Sequence, residues 1–160
     1  MNAIFYSGGN DMKIEQEIKQ KEFRSEYQKL LINIFFTNNW LYERNIQQLK
    51  PYQLTPKQYN VLRILRGQSP KPVTVKLIRE RMLDKMSDAS RIVERLRLKG
   101  LIRREICDDN RRAVDVYITE KGLNLLTELD EQAIEWEEDL KNLTIEDAAN
   151  LNNYLDKLRG

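Results

Sequence analysis

Between Ser87 and Arg112 the chain gathers side chains suited to binding an anion by charge and hydrogen bond. Ser87, Asp88, Ser90, Arg91 and Arg95 fall within one short segment, and Arg111 and Arg112 form a neighbouring pair. A guanidinium is a planar fork of donors that matches a phosphate or the edge of a guanine, and a serine hydroxyl donates to either. Arg91 is placed to read a base and Arg95 to read a base or clamp a phosphate, while Asp88 either meets a base or strengthens a helix start by its charge. Covalent chemistry has little to work with. The 160 residues hold no histidine and one cysteine, Cys107. With no histidine, the commonest general base and the commonest transition-metal ligand are both missing. No CxxC, glycine-rich phosphate loop or GxSxG elbow occurs. The expectation is a site with no catalytic residue, no metal and no cofactor.

The elements that must hold these groups can be read from spacing. Ala89, Ile92, Val93 and Leu96 recur at i, i+3, i+4, i+7, which predicts a helix over 87–98 with a dry inner stripe. Its outer face carries Ser87, Arg91, Glu94 and Leu98. Lys99-Gly100 is a C-cap signal. Upstream, Thr74 caps a shorter helix with Leu77, Ile78 and Met82 inward, so that Thr74, Lys76 and Arg79 lie where phosphates pass. Downstream, 102–106 and 114–118 read as strands, the second by the alternation of Val114, Val116 and Ile118. Residues 107–112, rich in Asp and Asn, predict a turn whose tip projects Arg111 and Arg112. Arg103 and Arg104 fall on opposite strand faces, so at most one faces the anion.

Helix, turn, helix and a basic-tipped hairpin describe a winged helix, and the residues resemble the MarR family of multiple-antibiotic-resistance-type transcriptional regulators. The likeness is carried by LTPKQYNVLRIL (Leu54–Leu65), SRIVERLRLKGLIRR (Ser90–Arg104) and NRRAVDVYITEKG (Asn110–Gly122), in the expected order. By helix order it extends from about Glu22 to Leu158. Two departures stand out: Asn110 replaces an aspartate usual in the family's wing, and the turn at 83–86 contains no glycine. The resemblance implies a mainly α protein, a winged helix-turn-helix core with long N- and C-terminal dimerisation helices. It implies a homodimer bound to double-stranded DNA, a repressor released by a small aromatic effector, with Arg112 in particular at the wing. Such an effector would sit in a crevice to which Phe35, Trp40, Tyr42 and Tyr59 could contribute, although aromatics at helical spacing are more often core; the ligand-binding residues are left unknown.

The remaining chain fits that plan. Residues 1–12 read as a flexible N-terminal tail, 13–51 as a dimerisation helix, 52–119 as the DNA-binding domain and 120–160 as C-terminal dimerisation helices. Apolar residues from Phe23 to Leu49 recur at helical spacing, predicting one helix from Glu15 to Leu49 that Pro51 ends. Thr55-Pro56-Lys57-Gln58 is a capping box with proline at the first helical position. Thr119 caps a further helix, in which Gly122, Leu126, Leu129, Ala133, Trp136, Leu140 and Leu143 step as a heptad seam. Thr144 caps the last, striped by Ala148, Leu151, Leu155 and Leu158. Charge is uneven: residues 76–112 hold twelve basic and seven acidic side chains, residues 113–160 four and twelve. The middle therefore suits a polyanion and the end does not. The lone Cys107 fits a reducing cytoplasm, and no apolar run is long enough to cross a bilayer. Cys107 reads as a half-buried thiol rather than an oxidant sensor. The alternative use of this surface is protein–protein contact, with Arg91, Arg111 and Arg112 meeting an acidic partner.

Overall fold

The computed structural model describes residues 13–107, 110–138 and 140–160, and within these the side chains of 106, 107, 110–113, 133–136 and 138 lie outside the description. The predicted tail, 1–12, is likewise outside it. Two compact units divide the chain at 45/46.

In the first unit the expected single helix is interrupted. A short helix α1 (Ile14–Glu17) is followed by irregular chain, and the long helix α2 runs from Glu26 to Leu49. The break has a local cause: Lys19 takes φ +55°, outside the right-handed helical region. The restart has another, because Ser25 Oγ accepts from Gln28 N–H at 3.2 Å while Gln28 Oε1 accepts from Arg24 N–H at 2.6 Å. Phe23, expected inside the helix, sits in the irregular stretch. A Lys29–Glu15 ion pair at 2.6 Å ties α2 to α1. Tyr27, Leu30, Leu31, Phe35, Leu41 and Tyr42 are exposed along α2.

The second unit is the winged helix. A 3₁₀ turn (Lys50–Tyr52) with Pro51 near its start ends α2, as expected. Helix α3 (Pro56–Arg66) begins at the predicted capping box, with Thr55 Oγ1 accepting from Gln58 N–H at 3.2 Å and Gln58 Oε1 from Thr55 N–H at 3.1 Å. Then come strand β1 (Val73–Thr74), α4 (Val75–Arg81), α5 (Ala89–Leu98), β2 (Ile102–Cys107), β3 (Asn110–Ile118), α6 (Glu120–Glu138) and α7 (Ile145–Arg159). The sheet is antiparallel in the order β1-β3-β2, with Val73 opposite Val116 and Ile102 opposite Ile118. The ladder continues past the expected strand ends to Cys107 and Asn110, with a register shift at 106/107. Arg111 and Arg112 therefore belong to strand β3 by backbone and not to a broad turn.

One core holds the unit together. Val61, Leu62 and Leu65 of α3, Ile78 of α4, Val93 and Leu96 of α5, Val116 of β3 and Leu126 and Leu129 of α6 are fully buried in it. Each such side chain stabilises by about 1.5–3 kcal/mol relative to exposure. The heptad seam is thereby divided. Its first half is covered by the chain's own core, and α6 ends at Glu138, leaving Leu140 and Leu143 exposed in the following turn. Ala133 and Trp136 lie outside the described side chains. No residue of α7 is buried, and Leu151, Tyr154 and Leu158 of the expected stripe face solvent. Among the described residues no helix is long and apolar enough to cross a membrane.

Candidate nucleic-acid interface

The site is built on the turn between α4 and α5, where a glycine is lacking. Asp84 supplies what a glycine turn would not. Its Oδ1 accepts from Met86 N–H at 2.9 Å, an Asx-type turn, and its Oδ2 accepts from Ser87 Oγ at 2.8 Å. Lys57 Nζ, from α3, lies 2.7 Å from the same carboxylate. The Lys57 ammonium first, then the Ser87 hydroxyl and the Met86 amide, hold the Asp84 carboxyl down at about 2. Leu83 N–H donates to Asn60 Oδ1 of α3 at 3.0 Å. The start of the turn is thus bolted to α3 twice, and Asp84 carries that hold on to Met86 and Ser87, which sets the entry of α5.

Helix α5 starts one to two residues later than the apolar spacing suggests. Asp88 is its N-cap, the carboxylate accepting from Arg91 N–H at 3.0 Å. Ser87, expected on the outer face of the helix, lies before it with its hydroxyl donated to Asp84 and little surface exposed. Both residues are engaged in shaping the helix start. The far end closes as predicted: Gly100 takes φ +71°, and Leu101 N–H and Gly100 N–H donate to Leu96 and Arg97 carbonyls. That pair of bonds is the Schellman pattern.

A cleft of about 420 Å³ opens between the two helices, lined by Lys76 and Arg79 of α4 and by residues 87–90. Lys76, Ser87, Asp88 and Ser90 are thereby brought to one place. Thr74 lies at the start of α4 and accepts from Leu77 N–H at 3.2 Å as its cap. Arg91 and Arg95 are exposed one turn apart on α5. Among the described residues neither they nor Lys76 and Arg79 form an ion pair, so four cations remain available to an outside anion. Arg97, Arg103 and Arg104, by contrast, are occupied. Arg97 Nη2 lies 2.8 Å and Arg104 Nη1 3.3 Å from Glu94, whose carboxyl is held below its ordinary range by Arg97 first and Arg104 second. Arg103 pairs with Glu105 and stacks on the Tyr117 ring at 3.9 Å. The side chains of Arg111, Arg112 and Cys107 lie outside the described residues, as do Asp109 and the side chain of Asn110.

Arg79, expected with Lys76 where phosphates pass, shares the cleft with it. One feature was missed from the sequence. Leu83 and Met86 are almost wholly exposed on the bolted turn, which no periodicity announces.

A three-helix core with a helix-turn-helix and a β-hairpin wing, presenting free cations along its second helix, defines the winged helix-turn-helix class. Residues 52–113 match the model of the MarR family. A MarR transcription factor from Planctomyces limnophilus is 28% identical, with a TM-score of 0.65 over 86% of this chain and 98% of its own. A mutant MarR from E. coli complexed with operator DNA is 23% identical, with a TM-score of 0.75 over 86% and 99% of the two chains. The organohalide-sensing transcriptional regulator RdhR-CbdbA1625 in its 2,4-dichlorophenol-bound form is 21% identical, with a TM-score of 0.77 over 99% and 88%. Comparison with curated protein sequences gave no match. By the match over residues 52–113 and by its fold, the chain is similar to MarR-family winged helix-turn-helix regulators.

Proposed function

We propose that this chain is a sequence-specific DNA-binding transcriptional regulator that works in the cytoplasm as a homodimer on a near-palindromic operator. It represses from that operator and is released by a small aromatic effector. The observation that carries the reading is the row of uncommitted cations, Arg91 and Arg95 on α5 beside Lys76 and Arg79 on α4, whereas Arg97, Arg103 and Arg104 are paired internally. Helix α5 enters the major groove, with Arg91 on a guanine edge and Ser90 beside it, and Arg95 on a base or phosphate. Thr74 and Lys76 meet the backbone, and Arg111 and Arg112 of the wing reach the adjacent groove. Asp88 and Ser87 contribute by holding the helix start. The exposed apolar residues of α2 and of α7 are each suited to a second subunit, and reading a near-palindrome requires two copies of α5 about one helical turn, ~34 Å, apart. The DNA-bound and dichlorophenol-bound relatives support operator binding and an aromatic effector.

The test is enrichment of random duplexes by the purified protein, followed by titration of the selected site by anisotropy. Arg91→Ala is expected to lose its preference at one base pair per half-site, a discrimination of roughly 1–3 kcal/mol. Uniform weakening on every duplex would make Arg91 a phosphate contact instead.

A further inference from the structure

Met86 is 94% and Leu83 88% exposed, although both belong to a four-residue turn in which their own amides are hydrogen-bonded. A single exposed Leu or Met needs no explanation. Here the exposed apolar side chains stand on amides held by Asp84 and Asn60, and Asp84 is itself held by Lys57 of α3. Such a turn has no slack with which to fold its apolar groups away. Met86 also adjoins the DNA-facing cleft: Ser87 and Asp88, the next two residues, line it and cap α5. Lys85 on its other side keeps the flank cationic, and no acidic group but the internally bonded Asp84 lies in the turn.

We infer that Met86 is a specificity-determining residue that packs on the 5-methyl group of a thymine in the major groove, beside the start of α5. This inference rests on the regulator reading and deepens it by naming a base. Of the groups that base pairs expose in the major groove, the thymine methyl is the apolar one, and an unbranched thioether adapts to it without needing a hydrogen bond. Continuity with the cationic cleft favours a nucleic acid over an apolar protein partner as the occupant.

The experiment takes the site enriched by the full-length protein and replaces each thymine in turn with uracil, which removes the methyl and keeps the pairing. One thymine per half-site is expected to matter, with uracil there weakening binding about fourfold, the equivalent of one buried methyl at ~0.8 kcal/mol. Met86→Gln, similar in length but polar, is expected to bind the thymine and uracil duplexes alike at that position. Met86→Leu is expected to keep the discrimination. Unchanged thermal melting of both variants, as suits so exposed a position, shows that the fold is intact. An enriched site whose uracil scan is flat, or equally steep in Met86→Gln, overturns the methyl contact alone. Failure to enrich any duplex overturns the regulator reading, and the contact with it.

Discussion

Asp84 does the work of a missing turn glycine, and it does so by charge. A carboxylate that accepts three bonds is favoured in its ionised form, so its folded-state pKa lies at about 2, below the ordinary 3.8. The linkage has a definite sign. A depressed folded pKa contributes stability that is fully present above the unfolded value near 4 and is lost as pH falls through about 2. Asp84→Asn is therefore expected to be less stable than the parent at neutral pH, with the gap between their denaturant midpoints closing from about pH 4 to pH 2. A gap that persists unchanged at pH 2 would mean that the turn is held by its other bonds. The sequence showed the absence of glycine plainly, but not the remedy. Asp84 lies more than twenty positions from Lys57 and Asn60 along the chain, and only the packing of α3 against the turn brings them together.

Elements whose ends are written locally were the legible ones. Thr55, Thr74, Thr119 and Thr144 each cap the helix expected of them, and Gly100 ends α5, because a cap needs only residues three or four positions apart. The Ser25–Gln28 cap was equally local and would have split the first helix, but the run of apolar residues around it masked the signal. The seam of α6 illustrates a different limit. Spacing says that Leu126 and Leu129 must be covered without saying by what, and the chain's own core covers them. At the start of that helix Gly122 packs against the wing. A Cβ there would lie 2.4 Å from the Leu101 carbonyl oxygen and 2.8 Å from Ile118. Gly122→Ala is expected to destabilise the protein by about 1–3 kcal/mol, as overpacking does, despite alanine's better helix propensity. Calorimetric melting checks it, and an unchanged or raised Tm would show that the wing base yields.

At the scale of the whole molecule the proposed dimer makes a geometric demand on its operator. Two copies of α5 reading faces about one helical turn apart cannot both engage if the half-sites are rotated apart. Inserting about 5 base pairs, half of the ~10-base-pair turn, at the operator centre is expected to reduce affinity to that of one half-site. Equal binding to the lengthened site would mean that each winged helix acts alone. What the sequence left unread here was which apolar residues are spare, since α2, α6 and α7 all carry stripes and, among the described residues, Leu49 of α2 and the first half of α6 are used internally.

The first half of α6 is held along its length, by Gly122 against the wing base, by Leu126 and Leu129 in the core and by Asp130 on Arg63 and Arg66 of α3, so it turns with the winged helix as one body. Nineteen residues make a rod of about 28 Å, so one degree of turn of that body about Gly122 swings the tip of the helix by roughly 0.5 Å.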